Sequence, residues 1–173
     1  RSAKSALANL RAEGGLEPEG LAAIPDDRLL ELIGPAGFQR RKASTIRGLN
    51  RLAGASGTGW DSLLSTGTKE LRSRLLSVAG IGPETADAIV LYAAGRPSFV
   101  IDAYTTRFAV RHGLAAQDAG YDELQRLFES ALPKDPDVYA EYHALLVELG
   151  KRFCRAAPRC RGCPMEGTLR DPG

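Results

Sequence analysis

The sequence predicts an all-α fold, on three observations. Apolar residues recur at helical spacing along nearly the whole chain. Only Ser98-Phe99-Val100-Ile101, after Pro97, reads as extended, and it suits a short buried linker. The helical stretches are separated by short connections rich in Gly and Pro. In order, Ala3, Ala6, Leu7 and Leu10 share a face of a helix over 2–12. Asp26 is placed to cap a helix carrying Leu29, Leu30 and Leu32, which stops at Gly34. A longer pattern runs from Phe38 through Ala43, Ile46, Leu49 and Leu52 to Gly54. Gly54-Ala-Ser-Gly-Thr-Gly59 is a loop. A helix over 69–77 follows Thr68, a candidate cap, and one over 83–94 opens with Pro, the residue preferred in a first turn. Helices over 102–111, 121–132 and 137–152 complete a set of about eight, with no internal repeat.

Composition narrows the classes. With 173 residues, 43% apolar and 25% charged, the chain can bury a core and is not a disordered segment. No apolar run is long enough to span a membrane, so no membrane partner is expected. The opening Arg1-Ser-Ala-Lys lacks the apolar segment of a signal peptide. It also lacks an initiator Met and starts inside a helical pattern, so residues upstream are expected. A net charge of +2 does not by itself point to nucleic acid. The three Cys are odd in number and crowded between 154 and 163. That favours metal ligation in a reducing compartment over a disulfide framework.

Two segments carry chemistry. In Leu75-Leu-Ser-Val78-Ala79-Gly80-Ile81-Gly82-Pro83-Glu84-Thr85-Ala86, two helices meet at Gly-Ile-Gly. The glycines allow positive φ and close approach of another backbone, and Ile81 can anchor the turn. Free N–H groups at the start of the second helix can bind a phosphate oxygen. An ordinary αα-hairpin has the same outline. Further on, Asp102 ends an apolar run and opens a helix. A plain N-cap is one reading. The other is a carboxylate kept ionised by the helix terminus, able to stabilise an oxocarbenium-like sugar and to activate a nucleophile.

Taken whole, Val78-Ala79-Gly80-Ile81-Gly82-Pro83-Glu84-Thr85-Ala86 resembles the helix-hairpin-helix of the endonuclease III superfamily of DNA glycosylases. Gly95, Pro97 and Asp102 are similar to that family's loop ending in a catalytic Asp, twenty residues past Gly82. The resemblance implies a helix-hairpin-helix fold of two helical domains with a DNA-binding cleft between them. It puts a six-helix domain at 1–96, with the hairpin at about 75–93, and a second domain at 97–173. The family's first helix and its wedge residue would lie upstream of Arg1. The implied activity is base excision: hydrolysis of the N-glycosidic bond of a damaged or mismatched base flipped from double-stranded DNA. Asp102 would be catalytic, and Gly80, Ile81, Gly82 and Thr85 would contact DNA. The implied protein is a cytoplasmic, nucleoid-associated monomer.

The chain departs from the family where bifunctional members carry a hairpin Lys that attacks the sugar. Glu84 stands there, and a carboxylate forms no imine. This implies a monofunctional enzyme, with Glu84 retained as a site residue. Lyase activity through another amine, or a catalytically weak DNA-binding homologue, are the alternatives. Tyr104 is a candidate pocket residue or a core tyrosine, and the stretches at Asp102-Ala-Tyr104 and Tyr121-Asp-Glu-Leu-Gln resemble the 3-methyladenine glycosylase branch. His143 is read as structural.

Cys154-Arg-Ala-Ala-Pro-Arg-Cys160-Arg-Gly-Cys163-Pro164 is close to the family's C-x6-C-x2-C-x5-C loop, which holds a 4Fe-4S cluster. The fourth position is Leu169, so Asp171 or solvent would complete the set, or the site holds zinc or nothing. Lys151, Arg152, Arg155, Arg159 and Arg161 make this loop basic, with Arg155 and Arg159 the candidate phosphate contacts. A second basic group, Arg40, Arg41, Lys42 and Arg47, is either a solvated helix face or a phosphate contact, with Arg40 and Lys42 the candidates.

Overall fold

A computed structural model of the chain describes residues 2–55 and 59–168, and it is all-helical. Ten α-helices are present among these residues: α1 Ser2–Ala12, α2 Pro18–Ala23, α3 Asp26–Ile33, α4 Gln39–Gly54, α5 Trp60–Ser65, α6 Thr68–Leu76, α7 Pro83–Ala88, α8 Ala103–Arg111, α9 Tyr121–Ala131 and α10 Pro136–Arg152. A 3-10 turn spans Gly34–Ala36, and a π-turn spans Ile89–Ala93. Within the described residues no helix is long and apolar enough to cross a membrane. The middle of the expected loop at 54–59 and the candidate ligand Asp171 lie outside the described residues.

Most expected helices form, with four differences. The short helices α2 and α5 have too few turns to show a helical period, and they were not expected. Asp26 and Thr68 are first helical residues rather than caps; Pro25 and Gly67 hold the N-cap positions. Phe38 precedes α4 in a left-handed conformation, φ 51°, instead of starting the helix. The helix expected over 83–94 is regular only to Ala88, then widens into the π-turn, closed by the Ala94 N–H donating to the Ile89 carbonyl at 3.0 Å.

The chain forms two compact units, Arg1–Gly82 and Pro83–Gly173. In the first, Ala6, Leu21, Ile24, Leu29, Leu32 and Ile33 form a core between α1, α2 and α3, with Ala43 and Ile46 of α4 packed against it. Arg47 ties this unit together: its guanidinium pairs with Asp26 and donates to the carbonyls of Leu21 and Ile24. The glycine at 80 is required by the fold. Its φ is 90°, and a side chain there would run into the Thr45 hydroxyl, which donates to the Ala79 carbonyl at 3.2 Å. Gly82 has neither constraint: its φ is not positive, and a Cβ there would meet nothing within 4 Å.

The second unit is built round Phe99, stacked on Phe128 at 4.7 Å between centroids and met edge-on by Tyr139 at 5.4 Å. Leu91, Val100, Ile101, Phe108, Leu124 and Leu146 close the core. The segment after Pro97 is thus buried, as its apolar run predicts. In α10, Gly150 faces the Tyr104 ring of α8 so closely that a side chain at 150 would collide with it.

Gly80→Ala is expected to cost about 1–2 kcal/mol from its left-handed φ alone, and more through the displaced Thr45 hydroxyl. Gly82→Ala should stay within about 0.5 kcal/mol of the parent. Chemical denaturation of the two variants checks the contrast.

Candidate active site

Asp102 is the N-cap of α8, and its Oδ1 accepts the Thr105 N–H at 2.8 Å. Thr105 is itself buried, so the bond is shielded. The second oxygen, Oδ2, faces His143 of α10, whose Nε2 stands 3.7 Å away. Both side chains are largely enclosed, at 14% and 13% exposure. The other ring nitrogen of His143, Nδ1, lies 2.7 Å from the Tyr92 hydroxyl, supplied by the π-turn. Tyr92 is half exposed, so the row Asp102, His143, Tyr92 runs from the enclosed carboxylate toward solvent.

Burial pushes the Asp102 carboxyl up, but the pull of His143 and the Thr105 N–H outweigh it, and the group titrates at about 2. The carboxylate is therefore ionised across the physiological range. Burial and the nearby Asp102 charge both push the Tyr92 phenol up, so its proton stays in place as a hydrogen-bond donor. His143, which the sequence reading left as a structural residue, is the group that sequence reasoning missed. Its one signal was a lone His on an otherwise apolar helix face. Nothing in the sequence ties 143 to 102.

Gly80 and Gly82 are exposed at the turn after α6, and Ile81 between them is buried, as an anchor should be. Glu84 and Thr85 are exposed in the first turn of α7. Tyr104 is half buried against Gly150, with Arg107 over its ring at 5.6 Å; its surroundings are those of packing between α8 and α10. Arg40 and Lys42 are exposed on α4. Lys42 donates to the Ala36 carbonyl, and Arg47 of the same basic group is taken up by Asp26 and two carbonyls. Arg155 and Arg159 are exposed beside the cysteines.

Cys154, Cys160 and Cys163 are all free thiols and line one cavity together with His112, Phe153 and Met165. Arg111 donates to Cys154 Sγ at 3.4 Å. Among the described residues no three His, Cys, Asp or Glu converge on a point where one metal ion would sit. Three soft thiols round a shared cavity suit an iron–sulfur group better than a hard cation.

The fold and this constellation define a class: a helix-hairpin-helix DNA repair glycosylase. The chain belongs to the HhH-GPD superfamily of base excision DNA repair proteins, whose family profile matches residues 1–134. It is 42% identical over 168 residues to a Methanocaldococcus jannaschii protein named as a DNA repair glycosylase, covering 96% of this chain and 76% of that protein. The fold matches endonuclease III in a trapped covalent intermediate with DNA, with TM-score 0.79 and 23% identity, covering 95% of this chain and 73% of that one. It also matches the Helicobacter pylori 3-methyladenine DNA glycosylase bound to 1,N6-ethenoadenine, with TM-score 0.75 and 27% identity, covering 87% and 77%.

Asn caps a helix as well as Asp does, so Asp102→Asn isolates the charge. A carboxyl depressed from 3.8 to about 2 stabilises the fold above the unfolded value, and that contribution fades as pH falls through 2. The stability difference between parent and Asp102→Asn is expected to be level above about pH 5 and to shrink by on the order of 2 kcal/mol between pH 4 and pH 2. Urea denaturation across that range measures it.

Proposed function

We propose that this enzyme is a monofunctional glycosylase that hydrolyses the N-glycosidic bond of a damaged or mismatched base flipped from duplex DNA. The observation that carries this is Asp102: an enclosed, ionised carboxylate at a helix terminus, in the loop that follows the hairpin. As the base departs, positive charge develops on the sugar. A carboxylate held in a partly dry site stabilises that charge more than water does. The same oxygen orients the attacking water and takes its proton. Water is the nucleophile because Glu84 occupies the position where bifunctional relatives have an amine.

The two-domain reading, with 1–96 and 97–173 flanking a DNA cleft, belongs to this proposal, as does contact of Gly80, Ile81, Gly82 and Thr85 with a strand. Gly82 supports it. It is exposed, its φ is not positive and nothing lies within 4 Å of a Cβ there, so a strand can approach the turn closely. Arg40, Lys42, Arg155 and Arg159 add phosphate attraction. The protein is proposed to act as a monomer, near the nucleoid.

Cys154, Cys160 and Cys163 are proposed to hold a 4Fe-4S cluster, with Asp171 or solvent at the remaining iron. The cluster's contribution there is to fix the chain path of a basic loop. The loop's own arginines then meet DNA phosphates.

Oligonucleotide duplexes carrying oxidised pyrimidines, methylated purines or a T·G mismatch are expected to reveal base release on one of them, lost in Asp102→Asn. Borohydride trapping on an abasic-site duplex should give no covalent adduct. Release unaffected by Asp102→Asn, or a robust adduct, would overturn the reading. Gly82→Ala is expected to weaken duplex binding several-fold at unchanged melting temperature.

Purified protein should be brown, with thiolate-to-iron absorbance that Cys163→Ser bleaches. A colourless preparation containing zinc would contradict the cluster.

A further inference from the structure

We infer that His143 is a positioning residue for Asp102, with its ring proton on Nε2 aimed at Asp102 Oδ2 and its Nδ1 accepting the Tyr92 hydroxyl. The inference rests on the reading of Asp102 as the acid that acts at the sugar. It goes beyond that reading by assigning the group that aims the acid.

A neutral imidazole has one donor nitrogen and one acceptor nitrogen. Tyr92 is 2.7 Å from Nδ1 and carries a proton to give. If it gives that proton to Nδ1, the ring's own proton must be on Nε2. Nε2 is buried and makes no hydrogen bond among the described residues, and Asp102 Oδ2 faces it at 3.7 Å. A buried donor with no acceptor is costly, and a shift of about half an ångström makes the bond. The groups facing the ring are Tyr92 from the π-turn and Asp102 from the start of α8.

Asp102 then has both oxygens assigned. Oδ1 is held by the Thr105 N–H, and Oδ2 by His143. A carboxylate held at one oxygen can still turn about its Cβ–Cγ bond; held at both, it has one plane. The lone pairs left free on the two oxygens then point in fixed directions, toward the reacting sugar and its water. Tyr92 contributes at one remove, by choosing the tautomer, as outer partners do for histidines bound to other groups.

The test uses the intact chain with His143→Leu, His143→Gln and Tyr92→Phe. Leu keeps the bulk and removes both nitrogens. Gln keeps an N–H donor at the reach of Nε2. Ring ¹⁵N shifts of the parent are expected to show Nε2 protonated and Nδ1 as acceptor, with the preference lost in Tyr92→Phe. A ¹³C-detected carboxyl titration should show Asp102 moving up from about 2 in His143→Leu and staying low in His143→Gln. On the duplex for which base release is found, His143→Leu should slow single-turnover release at least about tenfold, one factor of ten being a single lost transition-state hydrogen bond. Affinity for a duplex with a tetrahydrofuran abasic-site analogue should stay within about twofold, and His143→Gln should recover most of the rate.

A ring proton on Nδ1, or an Asp102 titration unmoved in His143→Leu, overturns the inference. Should His143→Leu not fold, the parent's ring shifts and Tyr92→Phe decide it. Base release that survives Asp102→Asn sinks the reading of Asp102 itself. Release lost in Asp102→Asn but untouched in His143→Leu sinks only the role of His143.

Discussion

A buried carboxylate sets the position of the one proposed to act at the sugar. Asp87 of α7 is fully enclosed. Its Oδ1 accepts the Ser98 hydroxyl at 2.6 Å, and its Oδ2 accepts the Tyr121 hydroxyl at 2.8 Å. Tyr121 in turn accepts the Ile101 N–H at 3.4 Å. Ser98 opens the extended stretch that leads to Asp102, and Ile101 is the residue before it. One carboxylate thus pins both ends of a segment that, among the described residues, has no strand partner to pair its backbone. Two further bonds complete the hold: the Phe99 N–H donates to Glu129 at 2.9 Å, and Gln125 donates to the Phe99 carbonyl at 2.8 Å. Buried backbone groups must be paired, and here side chains of α7 and α9 do what a sheet would do elsewhere.

The helix that Asp102 opens is fixed just as firmly along its length. α8 buries Thr105, Phe108 and Ala109, and α10 crosses it where Gly150 admits the Tyr104 ring. That close approach brings the two helix backbones together and thereby sets how far His143 stands from Asp102. The π-turn then supplies Tyr92 from a third direction. An inserted residue weakens a helix locally, so its persistence here asks for a reason. The Tyr92–His143 bond is one.

The helices with long amphipathic faces were legible because period and length are local properties. Asp102 as a helix cap was legible for the same reason. The hairpin could be read because its glycines stand in a fixed string. What could not be read was whatever depends on two segments meeting. His143 is forty-one residues past Asp102, and only the packing of α10 on α8 unites them. Arg47 looked like part of a basic surface, yet its charge is occupied by Asp26 and two carbonyls inside its own unit. Asp26 and Thr68 looked like caps because the pattern cannot tell an N-cap from the residue after it. Tyr104 was open between pocket and packing, and its close approach to Gly150 could not be read because it joins two distant helices.

The cysteine segment and the acid are the two ends of one rigid element. From the far end of α8, Arg111 donates to the carbonyls of Arg155 and Ala156, and Arg107, one turn earlier, donates to the carbonyl of Cys154. Those carbonyls belong to a loop with little regular structure, so the two guanidiniums replace the hydrogen bonds a helix would have made. A nine-residue helix spans only about 13 Å, and such a rod transmits a displacement at one end to the other with little loss. Whatever orders the cysteines therefore also steadies α8, and with it the carboxylate at its start.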